Sequence, residues 1–225
     1  MNYKIDKNIV LNYLGHKDQF IDDKLNNIID EIILNAVEYI KPASVYGIFD
    51  IKINEDNIIF DNKFTVSSKD LFQLLKFSEK AVLIAFTIGS LIEQKIKFLS
   101  YTDVTKAVIL DCCAAAAIEN YADNVLNKIL EKLRNDCLNL TNRFSAGYGD
   151  FSLNHQTDII NILDTRRRIG LYTDNNSLLY PKKSITAVVG IIDKEIQHSY
   201  YAGCENCAAR NNCTYRKAGK HCVSS

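Results

Sequence analysis

The chain has no surplus of charge: 27 Lys and Arg stand against 27 Asp and Glu over 225 residues. A balanced chain lacks the field that draws a protein to nucleic acid. The one basic cluster, Arg166-Arg167-Arg168, is too short to supply it. Long apolar runs are missing as well. The longest, Ala81 to Ile92, is interrupted by Thr87, Gly89 and Ser90 and falls well short of the ~20 residues that cross a bilayer. No membrane segment is expected. The opening segment from Met1 to Asn8 lacks the apolar core of a secretion signal, so a cytoplasmic location is expected. A Gly-x-Ser-x-Gly elbow, a Walker loop and a Rossmann fingerprint are all absent. His16, His155, His198 and His221 show no spacing for a metal triad. There is no internal repeat or low-complexity tract. What is left is the composition of an ordinary globular protein, long enough to bury a substantial core.

Helical periodicity is clearest at Ile21, Leu25, Ile28, Ile29, Ile32, Ile33, Val37 and Ile40, an amphipathic helix stopped by Pro42. Val45 to Ile53, the polar turn Asn54 to Asn57 and the run Ile58-Ile59-Phe60 read as a β-hairpin. Ser67 and Asp70 form a capping-box pattern that opens a short helix through Phe77. Ala81 to Ile88 is apolar enough for a buried central strand. From about Asp103 to Asp136 the pattern is helical throughout, and Ala114 to Ala117 give it high propensity and a flat packing face. Ser152 or Asn154 caps a further helix to about Leu163, while Ile169 to Tyr172 and Ser184 to Ile192 read as strands. This order predicts an α+β fold, with a main domain over residues 1–197 and a cysteine-rich appendage over 198–225.

Chemistry concentrates in two segments. In the first, residues 143–156, glycines, aromatics and an arginine cluster between regular elements: Arg143-Phe144-Ser145-Ala146-Gly147-Tyr148-Gly149-Asp150-Phe151. Gly147 and Gly149 allow backbone conformations closed to other residues and a close approach to the main chain. Arg143 offers a planar, permanently charged fork suited to a carboxylate. Asp150 suits a turn better than a ligand contact, and His155 suits a hydrogen-bonding or capping role. In the second segment, Cys204, Cys207, Cys213 and Cys222 run as Cys-x2-Cys-x5-Cys-x8-Cys. Four thiols at that spacing suit a structural zinc ion, an iron–sulfur cluster or free thiols, and the spacing does not choose among them. Cys112 and Cys113 lie on the Ala-rich helix, where the expected role is that of a small buried hydrophobe.

The loop wording resembles the activation domain of cobalamin-dependent methionine synthase, and most closely the free-standing form, which reads Arg-Phe-Ser-Pro-Gly-Tyr-Gly-Asp. Ala146 stands where that form has proline, which makes the loop less rigid. Ala85 to Gly89 with the Asp111 to Glu119 helix, and Leu179 to Gly190 with its Pro-x-Lys-Ser strand, extend the likeness over roughly residues 80–192. The resemblance implies a twisted, mainly antiparallel sheet flanked by helices, one of them long and Ala-rich. It also implies S-adenosylmethionine bound by Arg143, with Ser145, Ala146 and Gly147 around the ligand and Tyr148 at the mouth. Glu119 is a candidate for the same pocket; Ala115 replaces the first residue of the acidic pair carried by the full-length enzyme.

The implied role is reductive reactivation of cob(II)alamin on a separate methionine synthase or related corrinoid methyltransferase, within methionine biosynthesis. The chain would be the S-adenosylmethionine-binding component of that methyltransferase system. Cobalamin would reside on the partner, and a reducing electron donor would be required. No acid or base side chain is needed for such a task, in keeping with the absence of catalytic templates. The alternatives are a non-catalytic metal-binding interaction module and an iron–sulfur reactivator that delivers the electron itself.

Overall fold

The computed structural model describes residues 5–17, 19–54, 57–61 and 63–196. The expected metal ligands Cys204, Cys207, Cys213 and Cys222 lie outside these described residues. Helices α1 (Lys7–Tyr13) and α2 (Asp23–Tyr39) precede strands β1 (Ala43–Ile53), β2 (Ile58–Phe60) and β3 (Phe64–Val66). After α3 (Lys69–Leu75) and β4 (Lys80–Thr87) come α4 (Leu91–Thr102), α5 (Val104–Leu133) and β5 (Leu138–Leu140). The chain ends its described course with α6 (His155–Ile162), α7 (Thr165–Ile169), β6 (Tyr172–Thr173), β7 (Leu179–Tyr180) and β8 (Ser184–Asp193).

This is the α+β architecture the element order predicted. Six strands form one sheet in the order β3-β2-β1-β4-β8-β5, and β6 and β7 form a separate pair. The pairings are antiparallel, with Ile51 opposite Phe60, Ile58 opposite Val66 and Leu138 opposite Asp193. Every residue of β4 after Lys80 is buried, as in a strand with both faces covered. Among the described residues no helix is long and apolar enough to cross a membrane.

The chain divides into two compact units, one running to Tyr46 and including Ile84–Ile129 and Gln156–Thr186, the other comprising Gly47–Leu83, Leu130–His155 and the described residues from Ala187 onward. In the first, α2 is the expected amphipathic helix. The Asp22 carboxylate caps it by accepting from the Leu25 N–H at 2.7 Å. The helix ends at Tyr39, where Ile40 turns extended two residues before Pro42. The alanines of α5 are largely buried and let neighbouring chain approach closely. Tyr121 on this helix donates to the Ser44 hydroxyl at 3.1 Å and packs edge-on to Phe86. Lys183, from the Pro-x-Lys-Ser segment, ties three elements together. Its N–H donates to Glu93 at 2.8 Å, its ammonium pairs with Asp111 at 2.9 Å, and its carbonyl accepts from Ile88 at 3.2 Å.

The second unit holds β1 from Gly47 onward, β2, β3 and α3. Phe60, Phe64, Val66, Leu71, Leu74 and Leu75 are among its buried apolar residues.

Two local expectations need correction, at α3 and at β6, whereas the long helix is found where it was expected. Ser68, and not Ser67, caps α3: its hydroxyl accepts from Leu71 N–H at 3.0 Å, and the helix stops at Leu75 rather than Phe77. The helix expected from Asp103 to Asp136 begins at Val104, after Asp103 turns extended and separates it from α4, and tightens into a 3-10 turn over Arg134–Asp136. Of the strand expected at Ile169 to Tyr172 only Tyr172 lies in a strand, β6, while Ile169 is the last residue of helix α7. Gly170 ends that helix in the left-handed region at φ 69°, and the buried Thr165 hydroxyl donates to the Leu171 carbonyl at 2.7 Å.

Candidate functional site

The glycine-rich loop is anchored at its start by backbone pairing. Phe144 exchanges hydrogen bonds with Val188 of β8, 3.0 Å in one direction and 2.8 Å in the other. Arg143 immediately precedes this bridge and is half-buried. Further along, the loop closes on itself. The Gly147 N–H donates to the Phe151 carbonyl at 2.7 Å, Tyr148 N–H to Ser145 at 3.3 Å, and Phe151 N–H to Tyr148 at 3.0 Å. Gly147 takes φ 93°, a value that a β-carbon disfavours.

Beneath the loop runs a column of rings. Phe144 stacks on Phe151 at 6.1 Å, Phe151 on His155 at 5.5 Å, and His155 meets the edge of Phe64 at 5.4 Å. Aromatic pairs at such separations add to the stabilisation from burial alone. His155, at the first position of α6, therefore has a packing role in addition to its place at the helix start.

Asp150 is the strongest tie. Its carboxylate accepts from the Ser68 hydroxyl, from Lys69 N–H at 2.7 Å and from Asp70 N–H at 3.2 Å, while its own N–H donates to Asp70 at 3.3 Å. An anionic oxygen at the first turn of α3 satisfies amides that have no partner within the helix. Burial works against ionisation here, but the bonds from Ser68, Lys69 and Asp70 outweigh it and hold the carboxyl below its usual range. Gly149 completes the joint. A β-carbon added there would lie 2.0 Å from an Asp70 carboxylate oxygen, and its φ of 54° is itself left-handed. The turn role expected for Asp150 is thus also a cap on a helix 80 residues earlier.

The sequence-predicted ligand residues are placed as follows. Arg143, Ser145, Ala146, Gly147 and Tyr148 are together on this loop. Arg143 and Ser145 are half-buried, Ala146 is buried, and the Tyr148 ring is 68% exposed. Among the described residues neither the Ser145 hydroxyl nor the Ala146 N–H donates within the loop. Glu119 is half-buried on α5, in the other unit. Asp111 is exposed and paired with Lys183.

Ser68 and Lys69 are the positions that sequence reasoning missed at this site. The capping pattern at Ser67 and Asp70 marks a helix start there but carries no sign of the loop that meets it. Cys113 is fully buried, and burial, then the neighbouring Cys112, push its thiol up to about 12. Cys112 is half-buried, its thiol raised by burial and by Asp111. Both are packing residues. Among the described residues no group of His, Cys, Asp and Glu could hold a metal ion.

No family model matches the chain, and no curated protein matches it. Among solved structures it is similar to the crystal structure of the MetH reactivation domain bound to AdoHcy, with a TM-score of 0.62 over 84% of this chain and 74% of that one. The two are 12% identical. The likeness is one of fold.

Proposed function

We propose that this protein binds S-adenosylmethionine at the Arg143–Tyr148 loop and acts in trans as the reactivation partner of a corrinoid enzyme, a methionine synthase or a related methyltransferase. The observation that carries the reading is the loop itself: an Arg-Phe-Ser-Ala-Gly-Tyr-Gly-Asp signature, anchored to β8 by Phe144 and to the start of α3 by Asp150. Its backing is the fold, which is like that of a reactivation domain crystallised with AdoHcy.

The loop's chemistry fits an amino-acid zwitterion joined to a nucleoside. The Arg143 guanidinium is suited to pair two-to-two with the carboxylate. The Ser145 hydroxyl and the Ala146 N–H, not spent inside the loop, are donors for the same end of the ligand. Gly147 lets the ligand lie close to the main chain, and the exposed Tyr148 ring offers a flat apolar face. Bound there, S-adenosylmethionine would supply a sulfonium methyl group to the reduced cobalt of a corrinoid held by the partner, with the electron coming from a separate reductant. The work left to this chain is to bind and orient, a contribution of proximity that needs no proton transfer.

Calorimetry with S-adenosylhomocysteine tests the reading. Loss of a charged hydrogen-bond partner costs about 1.5–3 kcal/mol, so Arg143→Ala should weaken binding by roughly tenfold to a hundredfold, and Arg143→Lys should recover only part of it. Absence of binding to the native protein, or unchanged affinity in Arg143→Ala, overturns it. Anaerobic methylation of a corrinoid partner by S-adenosylmethionine then tests the role itself.

A further inference from the structure

The three arginines of α7 have different surroundings. Arg167 pairs with Asp164 at 2.8 Å, and Arg168 reaches back toward the Leu163 carbonyl. Arg166 has no carboxylate partner among the described residues; its guanidinium instead lies 5.6 Å over the ring of Tyr172. That ring is in turn stacked on Tyr180, with centroids 5.7 Å apart and planes 17° from parallel. A guanidinium laid on a braced tyrosine is a fixed, planar fork whose N–H edges remain available, the arrangement that suits a phosphate or carboxylate.

Arg166 stands at the wall of a groove of about 390 Å³, within the ~300–1,000 Å³ typical of small-molecule sites. The rest of the wall is mainly neutral and polar. The Thr157 hydroxyl lies 3.2 Å from that of Thr173 and 3.0 Å from that of Ser177, a fixed cluster of three hydroxyls, and the Asn161 side chain lines the same groove. Asp174 is the single carboxylate of the lining. One of its oxygens already accepts the Asn176 and Leu178 amides, each at 2.9 Å, so the group is held in place by its own turn. One oriented cation, a row of hydroxyl and amide groups and one fixed carboxylate make up the lining. An anion has a partner in Arg166, and ligand hydroxyl groups have acceptors in Asn161 and Asp174.

We infer that this groove binds a phosphorylated sugar, its phosphate on Arg166 and its hydroxyl groups along Asn161 and Asp174. The site belongs entirely to the first unit, whereas the Arg143 loop belongs to the second, and the inference does not rest on S-adenosylmethionine binding.

The test is a titration of the isotopically labelled full chain with ribose 5-phosphate, using ribose and inorganic phosphate as controls and following the amide resonances of Asn161, Thr173 and Asn175. The expected result is saturable shifts at these residues, with ribose 5-phosphate at least about tenfold tighter than either control, because phosphate and hydroxyl contacts act together. Arg166→Gln should weaken binding by about tenfold or more, the loss expected for one charged hydrogen-bonding partner, and Arg166→Lys should retain part of the affinity. Saturating S-adenosylhomocysteine should leave the titration unchanged. No saturable shift at the groove, equal affinity for inorganic phosphate and ribose 5-phosphate, indifference to Arg166→Gln, or displacement by S-adenosylhomocysteine would each overturn the inference.

Discussion

Replacing Asp150 with alanine removes one acceptor from three donors at once, the Ser68 hydroxyl and the amides of Lys69 and Asp70. Losing a side-chain acceptor at a helix start costs about 0.5–2 kcal/mol, and the attraction of a carboxylate to that end of the helix adds about 0.3–1 kcal/mol. Asp150 is exposed, so water recovers part of both contributions, and the expected net loss is about 1.5 kcal/mol. In a chain of this size that lowers Tm by roughly 3–6 °C. Thermal melts followed by circular dichroism on native protein, Asp150→Ala and Asp150→Asn provide the assay. The asparagine keeps one accepting oxygen but no charge, and its Tm should fall between the other two.

The pH dependence gives a second reading of the same joint. A carboxyl whose folded value is depressed stabilises fully above its unfolded value near ~3.9, and that stability is lost as pH falls through the folded value. Asp150 is such a group. The Tm gap between native protein and Asp150→Asn should therefore be steady from about pH 5 to about pH 8 and narrow below ~3.9. An unchanged Tm in Asp150→Ala, or a gap undiminished in acid, would refute the reasoning.

Three further outcomes can be measured. In Gly190→Ala the new β-carbon would lie 2.4 Å from the Ser78 hydroxyl, 2.9 Å from Leu75 and 3.0 Å from Thr141, an overpacking that costs about 1–3 kcal/mol in a urea melt. The Ser78 hydroxyl is buried with no hydrogen-bond partner among the described residues, so Ser78→Ala should be neutral or stabilising alone and should restore part of the loss in the double variant. Peptide mapping after iodoacetamide treatment at neutral pH should find exposed Cys137 modified and buried Cys113 protected, since a thiol raised from 9.0 to about 12 has a thiolate fraction lower by on the order of a thousandfold. Anaerobic purification with zinc, iron and sulfide analysis assigns the cysteine tail: iron with sulfide supports an electron-delivering reactivator, and zinc alone excludes it for that tail.

Much of the fold is legible where the sequence repeats a period over many residues. The apolar face of α2, the β1–β2 hairpin and the alanines of α5 each extend long enough for the pattern to outweigh local exceptions. Strands β3 and β5, three residues each, are too short to carry a period, and they exist because neighbouring strands supply their hydrogen bonds. At Ile169 to Tyr172 the residue types suggest a strand, yet it begins only at Tyr172, because a helical turn runs to Ile169, Gly170 caps it and the buried Thr165 hydroxyl holds the Leu171 carbonyl. The glycine cluster of the loop is equally visible in the sequence. The partner of Asp150, some 80 residues away, is a tertiary contact that no local pattern encodes.

That contact separates the loop signature into two kinds of residue. Phe144 and Phe151 are buried in the ring column, and Gly149 and Asp150, though exposed, are joined to the start of α3. Tyr148 faces solvent, and Arg143 and Ser145 are partly accessible. Substitutions should sort accordingly. Gly149→Ala places a methyl group in a left-handed backbone and against Asp70, so it should lower stability by about 1–2 kcal/mol and weaken S-adenosylhomocysteine binding along with it. Tyr148→Ala removes an exposed ring that packs against little and should leave Tm within about 1 °C, since exposed substitutions stay within roughly 0.5 kcal/mol, while weakening binding severalfold. If Tyr148→Ala destabilises as much as Gly149→Ala, the ring belongs to the joint; if neither variant affects binding, the ligand does not sit on this loop.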